Sequence, residues 1–181
     1  MDLALLRTDD EYYTPKHAWE DIAEYIPKGY VLWEAFKGDG TSADYLRELG
    51  WNVVCDDEDF FKSEAKGDIV VSNPPFSKAK EALERLVELD KPFIIILPCS
   101  KITTQYVRNI FKDTLSDLKL IVPPKRIHFH KPGMLKSRCS FDCFYWCWKV
   151  PTMKDCPSLV FTSHTRTPWD CVCHTTPEWN T

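Results

Sequence analysis

Apolar residues in this chain fall into short uninterrupted runs separated by stretches of helical period. YVLWEAF (30–36), WNVVC (51–55), DIVVS (68–72), PFIIILP (92–98), LKLIV (118–122) and the long aromatic run FDCFYWCWKV (141–150) have strand length and read as buried strands. Between them, Thr14-Pro15 starts a helix whose apolar face is Trp19, Ile22, Ala23 and Ile26, and Pro27-Lys28-Gly29 ends it. Thr41 opens a second helix, with Asp44 in position for a capping box and Gly50 as the stop. Ala82, Leu83, Leu86 and Val87 mark a third helix within 77–90, and a fourth is expected through 102–115. Strands alternating with helices predict an α/β fold: a three-layer, Rossmann-like sheet, mainly parallel. The last two strands have no helix between them and are expected as an antiparallel edge.

The 181 residues, 44% of them hydrophobic, are enough for one domain with a core, assigned here to 1–150. After Pro151 the periodicity disappears, and 151–181 reads as an extension of that domain. No run approaches the roughly 18 apolar residues of a membrane span, and MDLALLRTDDEYY offers no apolar signal core. An intracellular setting, cytoplasmic or nuclear, is expected, with the eight cysteines as thiols. The net charge of −4 argues against indiscriminate binding of nucleic acid. The distribution of charge changes that picture, because 118–141 contains no acid but holds Lys119, Lys125, Arg126, Lys131, Lys136 and Arg138.

GDGTSA (38–43) joins the first strand to a helix and fits the dinucleotide pattern Gly-x-Gly-x-x-Gly/Ala, with Asp56 about 20 residues on. Asp39 between the glycines would set a carboxylate against a pyrophosphate, and Glu34 adds a second acid. A cationic or zwitterionic ligand without phosphate suits such a turn better, and S-adenosyl-L-methionine has that chemistry. Glu34 or Asp39 would attract its amino group, Asp56 would accept from the ribose hydroxyls, and Asp59-Phe60 would border the adenine.

The strand at 69–72 ends on Asn73-Pro74-Pro75-Phe76. An exocyclic amine on a base is a poor nucleophile because its lone pair is delocalised into the ring. Accepting hydrogen bonds from both its hydrogens localises that pair. Asn73 supplies a side-chain carbonyl, and Pro74 a main-chain one whose direction is restricted because Pro75 follows. Phe76 offers a face on which a base can stack, worth about 1–3 kcal/mol.

WEAFKGDG and SNPPF, with YYTP upstream, resemble the S-adenosylmethionine-dependent N6-adenine methyltransferases of the class I fold over about residues 12–149. The pattern is similar also to small phage- or virus-type members without a separate recognition domain. The resemblance implies that Asn73, Pro74, Pro75 and Phe76 form the catalytic motif. It implies that Glu34, Phe36, Gly38 and Gly40 line the cofactor, with Thr14 and Pro15 near its methionine end. Two departures stand out. Only Asp56 to Gly67 separate two strands, so the usual third strand and its helix must shrink to DFF and one turn. Target recognition would fall to the basic loop or to a partner subunit.

The loop 123–140 lies by topology at the same sheet edge as the Asn-Pro-Pro-Phe motif. Lys125, Arg126, Lys131, Lys136 and Arg138, with His128 and His130, are candidates for phosphate contacts, against the alternative of a solvated hairpin. Cys139, Cys143 and Cys147 share one strand face and would need Cys171, Cys173 and His174 to hold zinc; no CxxC spacing occurs, so buried thiols are expected and no metal. The expected activity is methyl transfer to adenine N6 in nucleic acid, DNA favoured over RNA. The alternatives are a protein glutamine methyltransferase, whose amide nitrogen poses the same electronic problem, and a non-catalytic nucleic-acid-binding subunit.

Overall fold

The computed structural model describes residues 12–130 and 141–162. Seven strands among them form one sheet: β1 (Val31–Trp33), β2 (Asn52–Val54), β3 (Ile69–Ser72), β4 (Phe93–Pro98), β5 (Leu118–Val122), β6 (Cys143–Trp148) and β7 (Leu159–Phe161). Their spatial order is β2-β1-β3-β4-β6-β5-β7. β1 runs parallel to β2 and β3, β3 parallel to β4, and β5 parallel to β7. β6 is antiparallel to both β4 and β5. Every residue of β3 and β4 is buried, as strands covered on both faces require.

The helices are α1 (Lys16–Glu20), α2 (Thr41–Glu48), α3 (Ala79–Glu88) and α4 (Gln105–Phe111). From β1 the chain crosses through α2 towards one edge; from β3 it crosses through α3 towards the other. Right-handed crossovers in opposite directions put α2 and α3 on opposite faces. α1 packs with α2 and α4 with α3, which gives the three layers of a Rossmann-like sheet. Ala79, Ala82, Leu83 and Leu86, at helical spacing, are the buried side of α3. The Tyr145 hydroxyl on β6 donates to the Ala18 carbonyl at 2.6 Å and ties α1 to the sheet.

Several elements differ from the sequence expectation for identifiable reasons. The first strand stops at Trp33, because the Phe36 N–H turns to the Glu34 carboxyl and the Ser72 hydroxyl, each at 3.2 Å. WNVVC is only half covered, since β2 is an edge strand. The Asp44 capping box does not form. Gly40 is the cap residue at φ +88, Asp39 Oδ1 accepts from the Thr41 N–H at 2.9 Å, and Asp44 pairs with Arg47 at 2.8 Å. The first helix breaks after Glu20 into a short 3₁₀ turn (Ala23–Tyr25), yet Ala18, Trp19, Ile22 and Ile26 are all buried. A 3₁₀ turn (Cys99–Thr103) likewise precedes the short α4. The antiparallel pair is β5 with β6, as expected, but β6 lies inside the sheet and β7, from beyond Pro151, forms the margin.

The short crossover from β2 to β3 carries no strand or helix. Phe60 fills that space, with its ring 4.7 Å from Phe36 and 5.5 Å from Trp33. The crossover returns through Gly67 at φ +57, where a Cβ would stand 2.6 Å from the Val31 carbonyl oxygen. Asp68 then clamps β1 by giving its N–H to that carbonyl at 2.7 Å and taking the Val31 N–H at 2.8 Å. Gly67→Ala is therefore expected to cost at least about 2 kcal/mol, from left-handed backbone plus a backbone clash. Urea unfolding should show a lower midpoint at unchanged slope.

Candidate active site

Strand order reverses between β1 and β3, and open α/β sheets bind ligands beyond the carboxyl ends of strands at such a point. A cavity of about 350 Å³ lies there, within the size range of small-molecule sites. Its walls come from four short segments: Tyr12 and Tyr13; Ala35 to Gly38 after β1; Asp56 to Glu58 after β2; and Asn73 to Phe76 after β3.

The motif after β3 is set as acceptor chemistry requires. Asn73 Nδ2 donates to the Tyr12 carbonyl at 3.1 Å, while Asn73 Oδ1 is buried with no protein partner. The Pro75 carbonyl takes the Lys78 N–H at 3.0 Å and so belongs to the local turn. Phe76 differs from the open platform expected from sequence: it is only 5% exposed. Tyr12 stacks on it, with centroids 5.5 Å apart and planes at 20°, and Phe129 and Phe141 meet it edge-on.

Behind the cavity wall, Glu34 is 1% exposed. Its Oε1 accepts from the Ser72 hydroxyl and the Phe36 N–H, and its Oε2 has no protein partner. Burial pushes the carboxyl up to about 8, against the opposing pull of those two hydrogen bonds. Between the ordinary value of 4.5 and about 8, the unfolded chain has released this proton and the folded one has kept it. Glu34 therefore subtracts stability as pH rises through that window. Thermal unfolding of ligand-free protein should show Glu34→Gln gaining on the parent between pH 5 and pH 8; a pH-independent difference would refute the assignment.

The rim is acidic but cross-linked. Asp56 accepts from Lys66 Nζ at 2.7 Å and from the Glu58 N–H at 3.1 Å, and the lysine bond above all holds its carboxyl below the usual range. Lys37 reaches across from the glycine turn to Asp57 at 2.7 Å. A carboxylate has about four acceptor positions, so Asp56 can still take hydroxyls. Gly38 borders the cavity at φ +54, with the Tyr13 ring 3.4 Å from where its Cβ would be.

Of the residues expected around a cofactor, Phe36, Gly38 and Asp56 line the cavity. Asp39 accepts from the Thr41 N–H at the start of α2, Gly40 is the cap residue of that helix, and Thr14 and Pro15 are buried just beyond Tyr13. Asp59 accepts from the Phe61 N–H and pairs with Lys62, and Phe60 faces the core. The adenine border drawn at Asp59-Phe60 is thus not on the cavity wall, because the shortened crossover folds Phe60 inward. Lys125, Arg126 and His128 are exposed, alternating with the buried Ile127 and Phe129, and Arg126 pairs with Asp142 at 2.9 Å. Lys131, Lys136 and Arg138 lie outside the described residues, as do Cys139, Cys171, Cys173 and His174. Cys143 and Cys147 are buried free thiols, and no His/Cys/Asp/Glu cluster suited to a metal occurs among the described residues. No helix among them is long and apolar enough to cross a membrane.

The sequence reading did not single out Tyr12, Tyr13 or Ser72 as site residues. Ser72 left a signal, a hydroxyl at the end of an apolar run that must find a partner when buried. The tyrosines belong to the YYTP stretch that shares in the resemblance, but nothing local says that they meet Asn73 and Gly38, which happens only through the tertiary fold.

A Rossmann-like sheet with this cavity and an Asn-Pro-Pro-Phe motif at its switch point has the architecture of the methyltransferases. Residues 33–123 match the adenine-specific methyltransferase EcoRI family, and the chain belongs to that family. It is 38% identical over 100 residues to the type II methyltransferase M.EcoRI of Escherichia coli. That match covers 48% of this chain and 30% of the relative, so the shared part spans under a third of that enzyme's length.

Proposed function

We propose that this protein transfers a methyl group from S-adenosyl-L-methionine to the N6 amine of adenine in DNA. The observation that carries the reading is Asn73 Oδ1, a buried acceptor with no protein partner, on a residue that lines a cofactor-sized cavity. The chain's family and its resemblance to a type II methyltransferase support the same chemistry. The cavity suits the cofactor: an acidic rim meets a cationic ligand, Asp56 keeps capacity for ribose hydroxyls, and Gly38 lets the chain approach closely. When bound, S-adenosylmethionine supplies an electrophilic methyl on sulfur. Asn73 Oδ1 and the Pro74 carbonyl would accept hydrogen bonds from the two N–H groups of the amine, so that its lone pair is drawn out of the ring towards that carbon. The S–CH3 bond breaks as the N–CH3 bond forms, sulfur leaves as a thioether, and one N–H proton passes to solvent. Both acceptors are held before the substrate arrives, so little reorganisation is needed during the reaction. Glu34 lies behind the wall with one oxygen unpartnered, and a cationic group brought beside it would favour its charged form against the burial that raises it.

Lys125, Arg126 and His128 are proposed phosphate contacts beside the site, with Lys131, Lys136 and Arg138 continuing the same basic loop. A partner subunit supplying target recognition, and an intracellular setting that keeps the thiols reduced, belong to the same proposal. The test is radiolabelled methyl transfer to duplex DNA, single-stranded DNA, RNA and protein in parallel. Label recovered as N6-methyladenine from DNA is the expected result; label in protein alone would overturn it.

A further inference from the structure

We infer that Tyr12 is a positioning residue for this reaction, deciding which end of the Asn73 carboxamide meets the substrate. The inference rests on the reading of Asn73 as the acceptor for the amine. A carboxamide has an accepting end and a donating end, and rotation about χ2 exchanges them. A main-chain carbonyl only accepts, so the Tyr12 carbonyl, 3.1 Å from Asn73 Nδ2, must be met by the NH₂ group. That contact turns Oδ1 to the other side, where it has no protein partner. With the amide reversed, two N–H donors would face an amine that itself must donate.

The carbonyl can do this only if residue 12 is held still, and the surrounding contacts hold it. Its ring stacks on Phe76 within the same motif and meets Phe129 edge-on at 5.9 Å. The next residue exchanges two main-chain hydrogen bonds with His130, Tyr13 N–H to His130 carbonyl at 2.8 Å and the reverse at 2.9 Å. The Tyr13 ring packs over Gly38. Asn73 and Phe76 are thus fastened to one dipeptide, which is anchored in turn to the basic loop and the glycine turn.

Tyr12→Phe should keep kcat within about twofold, because the ring and carbonyl remain. Tyr12→Ala should lower kcat by about 10- to 100-fold, the scale of a small misplacement of a reacting group, with KM for both substrates within about twofold. Asn73→Asp keeps an acceptor towards the amine but sets an oxygen against the Tyr12 carbonyl, so it should lose rate on the scale of Tyr12→Ala and less than Asn73→Ala. In the ligand-free protein, the side-chain amide protons of Asn73, followed by NMR, should exchange slowly in the parent and Tyr12→Phe, and fast in Tyr12→Ala. Should Tyr12→Ala not fold, Tyr12→Leu, which lacks the planar stack, is held to the same outcomes. Unchanged kcat or unchanged exchange in the aliphatic variant overturns the inference. If Asn73→Ala is inactive while Tyr12→Ala is fully active, only the positioning role fails. If Asn73→Ala is active, the acceptor reading fails with it.

Discussion

Asn73→Ala is expected to lower kcat for methyl transfer by at least about 100-fold, the usual consequence of deleting one preorganised polar group at a reacting centre. The dissociation constant of S-adenosylmethionine should hardly move. Asn73 borders the cavity at the end of β3, whereas the groups suited to the cofactor come from the turn after β1 and the acidic segment after β2. The fold should survive, since the side chain makes one hydrogen bond, to Tyr12, worth about 1 kcal/mol. Calorimetric titration with the cofactor beside a single-turnover transfer assay separates the two effects. A loss of cofactor affinity as large as the loss of rate would move Asn73 from the acceptor role to the cofactor site.

Gly38→Val should act in the opposite sense, on binding before chemistry. Gly38 lies at φ +54, a conformation a β-branched residue strongly resists. Its new side chain would also meet the Tyr13 ring, already 3.4 Å from the Cβ position. The turn must then re-form, taking Phe36 and Lys37 out of the cavity wall. Affinity for S-adenosylmethionine should fall at least tenfold, about 1.4 kcal/mol or more. Gly40→Val is the useful contrast: its Cβ would meet only Lys37 Cε at 4.0 Å, and Gly40 is off the cavity wall. Its effect comes through backbone strain at φ +88 and should be smaller on cofactor binding than on stability.

Much of the fold was legible because burial on both faces leaves a continuous apolar run, and β3 and β4 are such strands. Less legible were elements whose ends depend on distant partners. The YVLWEAF run gives no local sign that it ends at Trp33, since the groups that draw Phe36 away include Ser72, from another strand. Thr41 and Asp44 satisfy the spacing of a capping box, but Asp39 reaches the first helical N–H and Arg47 takes Asp44. Three-residue strands such as β7, with two of its residues exposed, carry too little periodicity to detect.

The same division runs through the site. The sequence by itself determined the glycine turn after one buried strand and the Asn-Pro-Pro-Phe motif after another, because proline and glycine restrict their own backbone whatever surrounds them. Strand alternation also implied that both lie at the same edge of the sheet. Only the tertiary structure decided which oxygen of that motif is available and which ring covers Phe76. Tyr12 does both, although it stands 61 residues before Asn73 in sequence. Hydrogen-bond direction and ring stacking act over a few ångströms in space, and chain order carries no record of them.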